Sequence, residues 1–402
     1  MKQGESKPLA QNAGTVRAPR VVVRQRGAER ADRGHPWIYK SDVTDVQADG
    51  GDIVEVFTER GRKLGEALYS DRSEIALRLL ERGERKFDEQ LLVERLEASI
   101  AYRHGLAIDA TAYRVVHAEA DRLPSLIVDR YDDVLVLQAL SQGMDRLLSQ
   151  VTRRLGERLT PRGILARHDV RGRSLEGLDR SIHVLRGDVP DTVIVRDRKL
   201  EYEVDLRRGQ KTGAFLDQRE NRWAAAEPAH GRLLDCFSYD GGFALRMARR
   251  VTDAIAVDIS QEAVARIERN AARNGFDHVR AHQANAFDFL REAERNRQRF
   301  DTIVLDPPAF AKNRESLPRA LAGYKEINLR ALKILNPGGT LVSCSCSYHV
   351  GEALLLDVVR AAAHDARATV SVVEKRMQSR DHPVLLEVPE TYYLKCLILR
   401  TL

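Results

Sequence analysis

The chain has 402 residues, 43% of them hydrophobic and 31% charged, with 65 Lys and Arg against 59 Asp and Glu, a net charge of +6 and a pI of about 9.1. That balance describes a globular protein of two or three domains with enough chain for a sizeable core, and its positive charge permits a polyanionic partner. No apolar run approaches the roughly 18 residues of a membrane span and the N-terminus lacks a signal-peptide core; Cys236, Cys344, Cys346 and Cys396 make neither a disulfide framework nor a zinc site. A cytoplasmic protein with reduced thiols, no membrane partner and no bound metal is expected.

In chain order, residues 1–19 are polar and aperiodic, the composition of a disordered tail. Residues 20–86 alternate with period two through VVVRQ, WIYKSDV, GGDIVEVFTERGRKLGEALYS and SEIALRLL, which predicts a small β-barrel-like module without a long helix. Trp37 and Tyr39 in it read as core or as base-stacking residues. Arg17, Arg20, Arg24, Arg26, Arg30 and Arg33 cluster here, while Arg167, Arg171, Arg173, Arg196, Arg198, Arg207 and Arg208 bracket the middle of the chain. A basic surface on auxiliary segments is the footprint of phosphate contacts; the alternative is an arginine-rich usage throughout. Residues 87–203 read as an α+β domain: an amphipathic helix carrying Leu91, Leu92, Leu96 and Ile100, two strands about Asp132-Asp133, and a helix from Met144 to Arg158. His117, Glu119 and Asp121 alternate in a strand-like run, open to reading as a metal trio on one face or as a hydrogen-bonded corner between domains.

Residues 204–402 carry the α/β pattern. LRRGQKTGAFLDQRENR (206–222) mixes glycine, amide, charge and one aromatic, the composition of a lid in which Gln210, Phe215 and Gln218 meet a cofactor or target, or of a solvated loop entering a helix at Asn221. In LLDCFSYDGGFALRMA an apolar strand breaks at Gly241-Gly242 into a helix, and two residues without Cβ let a ligand approach bare backbone. AIAVDIS delivers Asp258, placed for a ribose diol, and FDTIVLDPPAF delivers Asp306 at the next strand end. These strand ends describe a nucleoside-bearing cofactor at the carboxyl edge of a doubly wound sheet. The turn reads D-x-F-x-x-x-G-G from Asp235, neither the dinucleotide G-x-G-x-x-G nor a phosphate loop. The late strand NPGGTLVSCSCSYHV holds Cys344 and Cys346, two apart and on one face if the strand stays regular.

This catalytic portion resembles the class I (Rossmann-like) S-adenosylmethionine-dependent methyltransferases, and GHPWIY, GDIVEVF and LGEALY resemble a PUA-type RNA-binding domain. Over nearly the whole chain, the order HAEADRLPSL, GQKTGAFLDQRENR, DCFSYDGGF, VDIS, DPPAF, SCS and DHPVLLEVPETYYLK resembles the bacterial large-subunit rRNA cytosine-5 methyltransferase family. The resemblance implies S-adenosylmethionine held by Gln210, Phe215, Asp235, Phe237, Ser238, Gly241, Gly242, Asp258, Asn285, Asp306 and Pro307. It also implies large-subunit rRNA as substrate, a possible homodimer, and a mainly structural HAEAD segment; free rRNA is expected over the assembled ribosome, because the target base must be flipped into a pocket. In the family a cysteine at the end of a late strand is the nucleophile; its distance from Gly338-Gly339 favours Cys346, with Cys344 the deeper thiol. Asp306 would hydrogen-bond the cytosine N3 edge. Two positions depart from related patterns: Ala309 replaces the aromatic that follows the prolines in enzymes methylating exocyclic amines, with Phe310 one further on, and Asn285 stands where an acidic residue usually meets adenine, with Asp288 three later. Asp306, His349, Glu387 and Glu390 remain open as the proton-abstracting base, and Lys312 and Lys325 as phosphate contacts or solvated side chains. Methylation of another RNA base atom, such as one of guanine, and a catalytically silent RNA-binding assembly factor are the alternatives.

Overall fold

The computed structural model describes residues 18–311 and 313–402. All but the last two residues of the expected tail lie outside the described residues, as do Arg17 and Lys312. The chain divides into two units, one ending at Phe87 and one spanning Asp88–Leu402.

In the first unit the period-two runs form a six-stranded sheet in the order Trp37–Tyr39, Ile75–Arg82, Lys63–Tyr69, Ile53–Thr58, Arg20–Val23, Val43–Gln47. Inward residues such as Val21, Val23, Val54, Val56 and Leu77 are buried and close the core. A helix over Gln25–Asp32 was not expected. Its buried face is Gly27, Ala28 and Ala31, too small to write an apolar stripe into the sequence. Arg26 and Arg30 of this helix both reach Asp42, and Arg30 also stacks over Tyr39 at 4.5 Å. Gly65 has φ of +150°, and a Cβ there would lie 2.0 Å from the Glu81 carbonyl oxygen. Backbone cannot move aside as a side-chain tip can. Gly65→Ala should therefore destabilise this unit by about 3 kcal/mol or more, read as an early transition in denaturant unfolding.

The second unit begins with the helix Glu89–Gly105, capped by the Asp88 side chain, and a five-stranded sheet ordered Ile182–Gly187, Gly163–Arg167, Val134–Ala139, Leu126–Tyr131, Ala112–His117. The helix expected from Met144 to Arg158 runs Gln142–Leu159 with Ser141 as its cap. After His117 the chain turns into a 3-10 helix, so the expected alternation of His117, Glu119 and Asp121 does not form. Asp121 instead takes Arg103 at 2.6 Å and the His117 amide, and no group able to hold a metal occurs among the described residues. Arg167 and Arg173, expected on a basic surface, are buried: Arg167 binds the carbonyls of Leu206 and Gly209, and Arg173 binds Ala139 and Asp145.

A seven-stranded sheet follows: β1 (Arg232–Cys236), β2 (Asp253–Asp258), β3 (Val279–Gln283), β4 (Phe300–Leu305), β5 (Leu335–Ser345), β6 (Val370–Arg376) and β7 (Lys395–Thr401). Their order is β3-β2-β1-β4-β5-β7-β6, with β7 antiparallel to both neighbours and the first five strands parallel. Helices cover both faces, which is why β1, β4 and β5 read as continuous apolar runs. Strand order reverses between β1 and β4, and a crevice opens there at the carboxyl ends. An apolar cluster runs from Tyr131 and Val134 of the five-stranded sheet to Leu233 and Val342 of the seven-stranded one. Among the described residues no helix is long and apolar enough to cross a membrane.

Candidate active site

At that crevice lies a cavity of about 340 Å³, within the range of small-ligand sites. Each wall follows from a strand end. β1 stops at Cys236, and Phe237 and Tyr239 then take positive φ (63° and 53°), bending the chain to Gly241 (φ +82°) and the helix Gly242–Met247. Ser238, Tyr239, Gly242 and Phe243 face the cavity, while Gly241 and Asp235 do not line it. Asp235 instead lies buried beneath the turn, accepting from Ser238 Oγ at 2.6 Å and the Ala244 amide at 3.0 Å. Burial pushes its carboxyl up to about 7 despite those two donors.

β2 ends in Asp258, whose oxygens accept from the Tyr239 and Ser260 amides, both at 2.9 Å. Each oxygen keeps a second lone pair for a hydroxyl donor. The loop after β3 brings Asn285, whose side-chain oxygen caps the helix Ala286–Arg295 through the Phe287 amide. Beside it Phe237, Phe287 and Phe310 stand at 5.8 to 6.4 Å between ring centroids, an apolar wall suited to a heterocycle. Phe310 also packs on Tyr324 at 4.7 Å, so the aromatic displaced by Ala309 belongs to this wall.

The third wall is chemical. Asp306 follows β4, lines the cavity with Pro307 and Pro308, and accepts from Gln218 Nε2 at 2.8 Å. Burial raises its carboxyl, Arg222 pulls the other way and Asp217 adds to the rise, leaving it at about 6. β5 ends at Ser345, so Cys346 stands just beyond the strand rather than on a regular face with Cys344. Cys346 is half-buried and lines the cavity, with Sγ 3.9 Å from the Pro307 carbonyl; Cys236, Cys344 and Cys396 are fully buried. Burial and then Asp306 push the Cys346 thiol up to about 11, against the pull of Lys211 and Lys395. Lys395 is buried opposite Ser345, donating from Nζ to the carbonyls of Ser347 at 2.7 Å and Tyr393 at 2.9 Å.

Much of the segment 206–222 is buried rather than a solvated loop. Thr212, Asp217, Gln218, Arg219 and Asn221 are buried. Thr212 donates to Asp129, which also takes Arg114 through two bonds of 2.8 Å, and Arg219 clamps Asp381 through two bonds of 3.0 Å. Asp217 holds Lys211 and accepts from Tyr393 Oη at 2.8 Å. Burial alone would raise Asp217, but the Lys211 charge, His382 and the hydrogen bonds from Lys211 and Tyr393 hold it well below the usual carboxylate range. Gln210, Lys211, Phe215 and Gln218 thereby become fixed walls of the cavity.

The structure thus brings Gln210, Phe215, Phe237, Ser238, Gly242, Asp258, Asn285, Asp306, Pro307 and Cys346 around one cavity. Of the four residues considered as proton acceptor only Asp306 lines it. Lys325 pairs with Asp365 at 2.7 Å. Sequence reading assigns no role to Lys211, Arg222, Tyr239 and Phe287, although Lys211 and Arg222 stand within GQKTGAFLDQRENR, Tyr239 within DCFSYDGGF, and Phe287 two residues past Asn285. One consequence of Asp235 is measurable. A carboxyl held near 7 in the folded chain and near 4 when unfolded costs stability fully above about pH 7 and not at all below about pH 4. Asp235→Asn should therefore raise the melting temperature of the ligand-free protein at about pH 8, with the gain shrinking toward about pH 4.

The fold and cavity define a class I S-adenosylmethionine-dependent methyltransferase, and the family described as S-adenosylmethionine-dependent methyltransferase matches residues 113–400, with a PUA-like domain matching 21–82. The SAH-complexed crystal structure of SMU.776 superposes with a TM-score of 0.82 at 19% identity, covering 95% of this chain and 99% of that one. Proteins named ribosomal RNA large subunit methyltransferase I are 38% identical over 386 residues in Shewanella denitrificans (93% of this chain, 97% of the relative) and 36% over 381 residues in Vibrio cholerae (90% and 94%). The chain belongs to the family of these methyltransferases, and S-adenosylmethionine is its cofactor. The cavity fits that molecule: an aromatic wall for adenine, Asp258 for a diol, and a turn at Gly242 that a Cβ would obstruct.

Proposed function

We propose that this protein methylates C5 of a cytosine in large-subunit rRNA through a covalent bond between Cys346 and C6 of the base. The observation that carries this reading is the placement of one thiol in the cavity, Cys346, against the Asp306-Pro307 backbone while the other three cysteines are sealed in the core. Cytosine C5 is not nucleophilic. Addition of the Cys346 thiolate to C6 moves an electron pair onto C5 and negative charge toward N3, where a proton held by Asp306 stabilises it. S-adenosylmethionine, held by Asp258, Asn285, the phenylalanine wall and the Gly242 turn, supplies an electrophilic methyl group when bound. After methylation the C5 proton leaves to a base and the Sγ–C6 bond breaks, restoring the ring and the thiolate.

An RNA substrate is supported by the PUA-like unit and by the names of the relatives. Free rRNA suits the site better than an assembled subunit, because the base must be flipped out of its stack to enter the cavity. The reading is tested by incubating the protein with S-adenosylmethionine and either free large-subunit rRNA or assembled subunits from cells lacking the gene, followed by nucleoside analysis. The expected product is 5-methylcytosine, formed faster on free rRNA. Another methylated nucleoside, or none, would overturn the base assignment, and equal rates on intact subunits would overturn the substrate assignment.

A further inference from the structure

The pairing of β5 stops at Ser345, opposite Lys395 of β7, one residue short of Cys346. The two neighbours of the thiol are held instead by one side chain. Tyr324, on the helix Leu317–Ile334, is fully buried, and its hydroxyl stands 3.0 Å from Ser345 Oγ and 3.0 Å from Ser347 Oγ. Ser345 donates to it, which leaves the phenol proton for Ser347. The Ser347 amide closes the ring by donating to Ser345 Oγ at 3.3 Å, and the Ala311 amide donates to Ser347 Oγ at 3.2 Å. Lys395 Nζ takes the carbonyl of the same serine. The residues on both sides of Cys346 are thus tied to the core while its own side chain faces the cavity.

Stability alone does not call for three hydroxyls here. Paired buried hydroxyls replaced together by apolar groups of the same shape can be nearly neutral, so phenylalanine and two alanines would fill this volume about as well. What the hydroxyls add is direction. The ring of Tyr324 has a second contact, packing on Phe310 at 4.7 Å between centroids, and Phe310 belongs to the aromatic wall of the cavity. One side chain therefore touches both the wall that seats the methyl donor and the turn that carries the thiol. Resting on the covalent route given above, we propose that Tyr324 is a positioning residue for Cys346: its hydroxyl fixes Sγ relative to the cofactor, and its ring supports the wall. The chemistry makes the demand. Sγ must meet C6 from one face of the base while the methyl group meets the adjacent C5, and a displacement of about 1 Å in such an arrangement costs about 100-fold in rate.

Tyr324→Phe removes one oxygen and keeps the ring, which separates the two contacts. The rate of covalent adduct formation on RNA containing 5-fluorocytosine is measured at saturating RNA and S-adenosylmethionine, beside the affinity for S-adenosylhomocysteine. Tyr324→Phe should slow the adduct by about 10- to 100-fold and leave S-adenosylhomocysteine affinity unchanged, which also shows that the variant is folded. Ser345→Ala, which opens the ring on one side of the thiol, should slow it by less. The double variant should be no slower than Tyr324→Phe alone, because the three hydroxyls act as one unit. An adduct formed by Tyr324→Phe at the wild-type rate would overturn the proposal. So would cofactor affinity falling in step with the rate, since that marks a general loosening of the core. A wild-type protein that forms no adduct would instead remove the covalent reading, and the assignment of Tyr324 with it; the two failures are read from different samples.

Discussion

Cys346→Ala is expected to abolish formation of 5-methylcytosine, with at least about a 1,000-fold loss of turnover, the scale on which removal of a covalent nucleophile acts. Cys344→Ala should keep most of the activity. The two residues are two apart in sequence but occupy different surroundings: Cys344 pairs across β5 and β7 with Cys396 in the sealed core, whereas Cys346 lies past the end of β5 on the cavity. Loss of the Cys344 sulfur leaves a small void and a modest fall in melting temperature. RNA containing 5-fluorocytosine separates nucleophile from bystander further. With fluorine at C5 there is no proton to remove, so the adduct should persist and the wild-type protein should migrate with its RNA in a denaturing gel. Cys344→Ala should give the same shifted band and Cys346→Ala none. A shifted band that survives Cys346→Ala would sink the assignment.

How much of this site was legible in the sequence depends on whether a residue owes its place to one strand or to several. Asp258, Asp306 and Cys346 stand at the carboxyl ends of strands that are buried on both faces. An apolar run followed by a polar residue is therefore enough to locate them. The helix Glu89–Gly105 was equally plain, since Leu91, Leu92, Leu96 and Ile100 write its buried stripe. The helix Gln25–Asp32 was hidden because glycine and alanine form its inner face, and Gly27 comes close to Ile38 and Asp42 there. Charge was the poorest guide. Arg167, Arg173 and Arg219 read as candidates for a basic surface or a polar loop, yet each is buried on carbonyls or a carboxylate contributed by a distant segment. Asp381 lies 162 residues from the Arg219 it neutralises. No local pattern records such a partner. Arg222 was missed for the same reason, because the turn it lies against, at Gly242, is twenty residues away.

The second large effect concerns Asp306. The proposed chemistry needs two groups in their less populated forms: Asp306 must hold a proton, though its carboxyl sits at about 6, and Cys346 must lose one, though its thiol sits at about 11. As pH rises between these values the protonated fraction of Asp306 falls about tenfold per unit while the thiolate fraction of Cys346 rises about tenfold per unit. The product is constant. Wild-type single-turnover rates should therefore be flat across roughly pH 6.5 to 9, and should fall below about 6, where Asp306 is already protonated and only the thiolate is being lost. A cofactor cation lowers both values together, which shifts this window without tilting it. Asp306→Asn removes one of the two titrations. Its rate at about pH 7.5 should drop by about 100- to 1,000-fold, the usual loss for a group that stabilises developing charge, with S-adenosylhomocysteine affinity nearly intact. Its profile should climb by about one decade per pH unit, following the thiol alone. A wild-type profile that already climbs in this way would show that Asp306 supplies no proton to N3. A variant that loses cofactor affinity and turnover in equal measure would place Asp306 in binding instead. The flat wild-type profile becoming a slope in the variant is the signature of a carboxylic acid and a thiol acting on opposite sides of one ring.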